Sequence, residues 1–191
     1  MSDKNEIAPD MTIYKGKPSP EGRLLRETAV YELLEKLNIP YERLDHEAVA
    51  TIEACQGVDK ILDIKLCKNL FLCNAQRTKF YLLLMPGEKK FSTKEVCRQI
   101  QSARLSFAPE QYMEKFLNIS PGAVSVMGLM NDKDNEVRLL IDREVLESEY
   151  LGCHPCVNTT SLKLKLADVI SRFLPYTGHD YTVVELTDDE S

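Results

Sequence analysis

The stretch LCKNLFL, residues 66–72, combines the apolar pattern of a buried β-strand with a lysine and an asparagine at its centre. A short apolar run of this kind is typical of a strand in the core of a sheet. Lys68 and Asn69 stand where such a strand would otherwise carry valine or isoleucine. Because a buried ammonium group is costly without a negative partner, Lys68 is predicted either to pair with a carboxylate or to bind an anionic ligand.

The charge around this strand favours the anionic ligand. Residues 60–104 hold ten Lys and Arg against three Asp and Glu, a net charge of +7. The rest of the chain holds 14 basic against 27 acidic residues, a net charge of −13. The overall charge of −6 therefore conceals one strongly basic segment. Such asymmetry predicts a phosphate-bearing partner better than the whole-chain charge does.

The length of 191 residues and the hydrophobic content of 43% fit one domain with a full core. No apolar stretch is long enough to span a membrane, and the N-terminus lacks the apolar region of a signal peptide. We therefore expect a cytoplasmic protein without a membrane partner. The predicted organisation is a partly disordered N-terminal extension over residues 1–20, one domain over 21–187 and an acidic tail over 188–191.

Helix and strand patterns are intermixed along the chain. Apolar spacing predicts helices over 20–37, 51–58, 92–103, from about 109, and from 166 to 175. Strands are predicted over 41–45, 66–74, 79–85, 123–129, 137–141, 157–165 and 181–186. The second and third of these strands, and the fourth and fifth, have the short polar connections of hairpins. We predict a single α+β domain with a mixed, mostly antiparallel sheet flanked by helices.

The segment Cys153-His154-Pro155-Cys156 has the spacing of a thiol redox motif. A redox motif needs a following helix that lowers the pKa of the first thiol, but the residues after Cys156 predict a strand. Zinc would require ligands beyond these three, so no metal is expected. The six cysteines lie mostly in apolar runs, which favours buried, reduced thiols. His154 is the candidate functional residue here, because it lies in a loop with Gly152 and Asn158.

The segment ISPGAVSVMGLMND, residues 119–132, places Gly122 and Gly128 among small residues. Glycines let a ligand approach the backbone and let N–H groups converge on a carbonyl oxygen. The alternative is a tight turn that leads into a strand, and the spacing alone favours the turn. No Ser-His-Asp or Cys-His set is evident in the sequence. An enzyme of this composition would work by positioning and electrostatics, with the substrate supplying a catalytic group.

Three segments in order resemble the YbaK/prolyl-tRNA synthetase-associated editing domains. LCKNLFL resembles their K-N-L-F-L strand. Residues 119–132 resemble their glycine loop, which is followed by a V-x-L-L-I-D strand, here residues 137–142. HPCVNTTSLKL, residues 154–164, resembles the H-P-x-x-N-T segment of the freestanding prolyl-tRNA editing branch. The resemblance covers about residues 24–186 and implies a YbaK-like fold.

This resemblance implies a trans-acting deacylase that hydrolyses tRNA(Pro) mischarged with a smaller amino acid, chiefly alanine. Such an enzyme is the second sieve of a synthetase whose own pocket cannot reject a smaller side chain. The implied partner is the acceptor end of tRNA(Pro), and prolyl-tRNA synthetase is a second candidate partner. DNA and cofactors are not expected. The alternatives are a non-catalytic tRNA- or synthetase-binding module of the same fold and, less favoured, a thiol oxidoreductase that uses Cys153 and Cys156.

The resemblance also assigns candidate site residues. Lys68 would hold the phosphate of the terminal adenosine, backbone N–H groups near Gly122 would polarise the ester carbonyl, and the free ribose 2′-hydroxyl would help to activate water. The catalytic candidates are Lys68, Gly122 and His154. The substrate-binding candidates are Asn69, Val126, Gly128 and Asn158. The candidates for tRNA backbone contacts are Lys60, Lys65, Lys89 and Lys90. Val126 is a departure, because the family loop often has proline there.

Overall fold

The computed structural model describes residues 12–48, 52–65 and 67–187. Leu66, residues 1–11 of the predicted extension and the predicted tail over 188–191 lie outside the described residues. Within these ranges no helix combines the length and the apolar character needed to cross a bilayer.

The described residues form nine strands and seven α-helical segments. The strands are β1 (Ile13–Lys15), β2 (Tyr41–Asp45), β3 (Cys67–Asn74), β4 (Phe80–Pro86), β5 (Leu105–Phe107), β6 (Val137–Asp142), β7 (Tyr150–Cys153), β8 (Thr160–Lys165) and β9 (Tyr181–Val184). The helices are α1 (Leu25–Lys36), α2 (Ile52–Leu62), α3 (Thr93–Ile100), α4 (Glu110–Tyr112), α5 (Arg143–Leu146), α6 (Leu166–Asp168) and α7 (Leu174–Thr177). Wider π-type turns follow α4 over Met113–Leu117 and join α6 to α7 over Val169–Phe173.

The strands form two sheets. The four-stranded sheet has the order β1-β2-β8-β7 and is antiparallel throughout. The five-stranded sheet has the order β5-β3-β4-β6-β9, in which β6 lies parallel to both β4 and β9. The predicted hairpin of 66–74 with 79–85 is confirmed as the β3–β4 pair. The prediction of an α+β domain with mixed, mostly antiparallel pairing is also confirmed.

The predicted strand over 123–129 is wrong. Residues Val126–Asn131 form a 3₁₀ helix, whose first turn is capped by the Ser125 hydroxyl accepting from the N–H of Met127 at 3.2 Å. Gly128 fits this helix closely against Leu117, because an added Cβ would lie 2.9 Å from the Leu117 Cβ. β6 therefore has no antiparallel partner here and pairs with β4 instead.

Three predicted boundaries also change. The first helix begins at Leu25 rather than at residue 20, and the second extends to Leu62. Part of the predicted extension is structured, since β1 pairs with β2 and adds a strand to the four-stranded sheet. The segment Ile13–Lys15 is hydrogen-bonded to β2, and its composition did not indicate this pairing.

The central strand β4 is buried on both faces, which explains its continuous apolar sequence. Leu82 and Leu84 pack into the larger core, which includes residues of α1 and of the four-stranded sheet. Leu83 and Met85 face the other way and pack with Val96 of α3. The five-stranded sheet therefore lies between α1 and the second sheet on one side and α3 on the other.

A buried ion pair joins three distant parts of the chain. The Lys89 ammonium, 7% exposed, lies 3.1 Å from Oδ1 of the fully buried Asp142 and donates to the carbonyl of Leu186 at 2.7 Å. Asp142 also accepts from the N–H groups of Glu144 at 2.9 Å and Leu186 at 3.0 Å. Burial alone would lower the pKa of Lys89, but its bonds to Glu144 and Asp142 outweigh burial and raise that pKa. The pair fixes the loop after β4 to the end of β6.

We expect Lys89→Met to lower the free energy of unfolding by about 3–5 kcal/mol, because it leaves a buried carboxylate without its partner. Urea denaturation followed by circular dichroism measures this change. The exposed Lys94 on α3 provides the control, and Lys94→Met should change stability by less than about 0.5 kcal/mol. The double variant Lys89→Met/Asp142→Leu should recover only part of the loss, because Asp142 also accepts from the N–H groups of Glu144 and Leu186. A small effect of Lys89→Met alone would show that the pair is not a structural requirement.

Candidate functional site

A cavity of about 120 Å³ lies where the two sheets meet. It is lined by Val58, Ile64, Cys67, Lys68, Asn69, Gly87, Gly152, Cys153, His154 and Ser161. β3 of the five-stranded sheet supplies Lys68 and Asn69, and β8 of the four-stranded sheet supplies Ser161. The fold thus brings together three of the predicted site residues, because it places His154 beside Lys68 and Asn69, from which it is distant in sequence.

Lys68 is half-buried at this cavity and is held by a backbone oxygen. Its ammonium donates to the carbonyl of Lys89 at 2.6 Å. In the part of the chain that the structure describes, Lys68 forms no ion pair with a carboxylate. Because an ammonium group has three N–H donors, one bond to a carbonyl leaves donors for a ligand. Lys68 was predicted either to pair with a carboxylate or to bind an anionic ligand. The described residues provide no carboxylate partner for it.

Asn69 carries an unused acceptor at the cavity wall. Its side-chain Nδ2 donates to the carbonyl of Cys67 at 3.3 Å. Its Oδ1 is buried and has no hydrogen-bond partner among the described residues. A buried acceptor left unpaired costs about 1–3 kcal/mol, so a ligand with a suitably placed donor would recover that energy.

His154 presents one ring nitrogen as an acceptor. Its Nδ1 lies 2.9 Å from the carbonyl of Thr160, which can only accept, so Nδ1 carries the proton and Nε2 is left as an acceptor in the neutral ring. Burial lowers the pKa of His154, and the nearby His46, 6.2 Å away between ring centroids, lowers it further. The hydrogen bond to the Thr160 carbonyl raises the pKa of His154, but the net pKa stays below the ordinary value.

Thr160 is itself fixed by a charged cluster beneath the cavity. The Thr160 hydroxyl donates to Oδ1 of Asp45 at 3.0 Å, and Arg23 donates to the other oxygen of Asp45 at 2.8 Å. Burial alone would raise the pKa of Asp45, but the bonds from Arg23, Arg43 and Thr160 lower it. Asp45 therefore stays ionised at neutral pH and holds β2, β8 and the segment before α1 together.

Gly152 is a cavity residue that the sequence did not indicate as one. A Cβ at this position would lie 2.3 Å from Cδ1 of Ile64, so only glycine allows Ile64 to cover the strand and form the wall. The sequence also gave no role to Val58, Ile64, Cys67, Gly87 or Ser161. Cys67 and Ser161 lie in quoted segments that suggested no role for them, whereas Val58, Ile64 and Gly87 lie outside those segments.

Gly122 and Asn158 lie close to each other but do not line the cavity. A Cβ on Gly122 would lie 3.6 Å from Nδ2 of Asn158. Gly122 is exposed and its φ of +86° is a conformation that favours glycine, which agrees with the alternative of a tight turn. The described contacts do not test the roles predicted for Gly122 and Asn158, so these roles stay predictions.

Val126 and Gly128 require correction as substrate-binding candidates. Val126 is 1% exposed and packs in the main core. Gly128 is buried, and a Cβ there would lie 2.6 Å from Cδ1 of Ile119. Both residues belong to the packing of the 3₁₀ helix and do not line the cavity.

The predicted tRNA contacts divide into exposed and buried residues. Lys60, Lys65 and Lys90 are exposed. Lys89 is 6% exposed and is engaged with Asp142, so its assignment as a backbone contact is a correction. The other basic residues of segment 60–104 lie on β3, in the β3–β4 turn, on α3 and directly before β5.

The two cysteines of the redox-like motif are buried, and burial raises the pKa of each thiol to about 12. Cys156 lies at a φ of +61°, so the motif is a turn, and β8 follows it rather than a helix. Within the described ranges, no group of three or more His, Cys, Asp or Glu side chains is arranged to hold a metal ion.

Comparison with known proteins agrees with this fold. The family model for the aminoacyl-tRNA editing domain matches residues 46–171. The prolyl-tRNA editing protein ProX of Acetoanaerobium sticklandii is 31% identical over 158 residues, which cover 83% of this chain and 96% of ProX. The prolyl-tRNA synthetase associated domain-containing protein 1 of Danio rerio is 28% identical and covers 78% of this chain and 80% of its own length.

A crystal structure provisionally assigned as a trans-editing enzyme for prolyl tRNA synthetase has the same fold. It superimposes with a TM-score of 0.62 at 14% identity and covers 86% of this chain and 99% of its own. The fold is that of an editing domain. The chain belongs to the aminoacyl-tRNA editing domain family.

The thiols provide a direct test of the oxidoreductase alternative. At pH 7 a thiol with a pKa of about 12 is ionised in about one molecule in 10⁵, so Cys153 and Cys156 should resist alkylation in the native protein. Mass spectrometry after iodoacetamide treatment, with and without urea, measures this protection. The partly exposed Cys97 is the internal control and should react first. Rapid formation of a Cys153–Cys156 disulfide with oxidised glutathione would contradict the prediction.

Proposed function

We propose that the protein is a trans-acting deacylase that hydrolyses tRNA(Pro) mischarged with alanine. The observation that carries this proposal is the small cavity on which Lys68, Asn69 and His154 converge. The family and the ProX relative support it, since ProX is a prolyl-tRNA editing protein. Acting in trans suits the cytoplasm, where charged tRNA is available, and requires no stable complex with prolyl-tRNA synthetase.

The apolar part of the cavity wall accommodates the side chain of the aminoacyl group. Val58, Ile64 and Cys153 provide this surface. A cavity of about 120 Å³ admits a small side chain such as a methyl group, and in this proposal the shape of its wall, rather than its volume, opposes the proline ring. Exclusion by size is the second-sieve principle, which spares the correct product while the wrong, smaller one enters. Close-packed walls make such exclusion effective.

The polar groups have distinct roles in this proposal. Lys68 binds the phosphate of the terminal adenosine with the N–H groups of its own ammonium that do not donate to the Lys89 carbonyl. Oδ1 of Asn69 accepts from the substrate α-ammonium group, which pairs the buried acceptor. The neutral His154 accepts from the attacking water at Nε2 and holds it near the ester.

The reaction itself needs only water. The water oxygen forms a bond to the ester carbonyl carbon, and the bond from that carbon to the ribose 3′-oxygen then breaks. The amino acid leaves as a carboxylic acid, which ionises, and the 3′-oxygen takes a proton. The free 2′-hydroxyl helps to activate the water, as the family resemblance implies. Positioning of the reacting groups accounts for the main part of such catalysis.

A deacylation panel tests the proposal. Alanyl-, cysteinyl-, seryl- and prolyl-tRNA(Pro) are each incubated with the protein, and loss of the esterified amino acid is followed with time. We expect the alanyl ester to be hydrolysed faster than the prolyl ester by at least about tenfold, which corresponds to discrimination by about 1.4 kcal/mol at the size-selective wall.

The variant Lys68→Ala is the inactive control for this panel, and it should lose at least about 100-fold in rate because the substrate is no longer positioned. Lys94→Ala on the distant α3 is the matched control and should retain full activity. Equal rates on the alanyl and prolyl esters would contradict the sieve. Binding of tRNA(Pro) without hydrolysis of any ester would favour the non-catalytic module.

A further inference from the structure

A second depression, of about 530 Å³, lies on the four-stranded sheet. It is lined by Lys15, Asn38, Pro40, Tyr41, Glu42, Tyr150, Lys163, Lys165, Asp168 and Arg172. Four of these residues are basic and two are acidic, so the surface is positive although the chain as a whole carries −6. The sequence analysis did not single out any of its basic residues.

The two acidic residues of this depression are each paired. Lys15 lies 3.8 Å from Glu42, and Arg172 lies 3.5 Å from Asp168. Lys163 and Lys165 of β8 form no ion pair among the residues that the structure describes. Lys163 lies over the ring of Tyr150, with its ammonium 4.5 Å from the ring centroid. The positive charge that the acidic residues leave uncompensated is therefore concentrated on these two lysines of β8.

The same strand connects this surface with the cavity. Ser161 lines the cavity, and Lys163 and Lys165 follow at intervals of two residues, so the three side chains project from one face of β8. Lys163 also pairs directly with Gly152, another cavity residue. At a rise of about 3.3 Å per residue, successive side chains of this row are about 7 Å apart. A polyanion that ends in the cavity can follow this row.

A depression that adjoins the cavity is acidic, and it borders the basic depression at Tyr150. This acidic depression, of about 610 Å³, shares Ile64 and Cys67 with the cavity wall. Its charged lining consists of Asp63, Lys65, Glu144, Glu147 and Glu149. Four carboxylates against one ammonium group repel a phosphate backbone, whereas the side of β8 attracts it. The charge distribution thus selects one of the two directions.

We propose that the tRNA backbone leaves the cavity along β8, with acceptor-stem phosphates bound by Lys163 and Lys165 and with Lys15 and Arg172 at the margin. This inference rests on the proposed function, which supplies the tRNA. It adds a footprint outside the basic segment 60–104, in which Lys89 is buried. The aromatic ring of Tyr150 adds a surface on which a ribose or a base can pack.

The experiment measures binding of uncharged tRNA(Pro) transcript by fluorescence anisotropy between about 50 and 200 mM salt. Three full-length proteins are compared: wild type, Lys163→Ala/Lys165→Ala and the control Lys94→Ala/Arg98→Ala, whose exposed residues lie on α3. Log affinity falls as log salt rises, and removing two phosphate contacts should make this slope less steep by about 1 per lysine. The control should keep the wild-type slope.

Deacylation of Ala-tRNA(Pro) by the same proteins separates the two proposals. A raised KM in the β8 variant together with the reduced slope supports the footprint. An unchanged slope and KM in the β8 variant, with wild type still active, overturns the footprint and leaves the function standing. If wild type hydrolyses no ester, the proposed function fails, and the binding slope alone then decides whether β8 holds RNA. A reduced slope and a raised KM in the α3 control, instead of in the β8 variant, would place the footprint on α3 and overturn the inference.

Discussion

The buried pair of Lys89 and Asp142 is the constraint on which the site depends. Asp142 has no exposed surface, and its oxygens bind Lys89 and the backbone at Glu144 and Leu186. The backbone carbonyl of the same Lys89 holds the ammonium of Lys68 at 2.6 Å. The side chain of Lys89 thus stabilises the fold, and its backbone carbonyl positions Lys68. The ion pair of Lys89 with Asp142 thereby determines where the ammonium of Lys68 lies at the cavity.

The cavity exists only where the two sheets pack against each other. Lys68 and Asn69 come from the five-stranded sheet, while His154 is oriented by Thr160 at the start of β8. Thr160 depends in turn on Asp45, which is held by Arg23. Lys68 and His154 are therefore each positioned through a backbone carbonyl whose residue takes part in an ionic network. Small movements of one sheet against the other would separate the groups, which couples the chemistry to the packing.

Local patterns predicted the features that local forces determine. The apolar run around Lys68 and its polar turn predicted the β3–β4 hairpin, and the intermixed helix and strand patterns predicted the mixed fold. The strand over 123–129 was predicted wrongly, because Ser125 and the close packing of Gly128 favour a 3₁₀ helix that periodicity does not reveal. Lys89 looked like a surface charge because its partner lies 53 residues away. The packing of Gly152 against Ile64 was not predicted for the same reason, since the two residues are distant in sequence.

The central claim is that Asp142 acts on the site through Lys68, and a double-mutant cycle on the single-turnover rate tests it most directly. Wild type, Asp142→Asn, Lys68→Ala and the double variant are compared on Ala-tRNA(Pro), at a temperature where circular dichroism shows all four folded. Residues that act through one interaction give non-additive losses. The account predicts that Asp142→Asn slows wild type but causes no further loss in the Lys68→Ala protein. Full additivity of the two losses would contradict it.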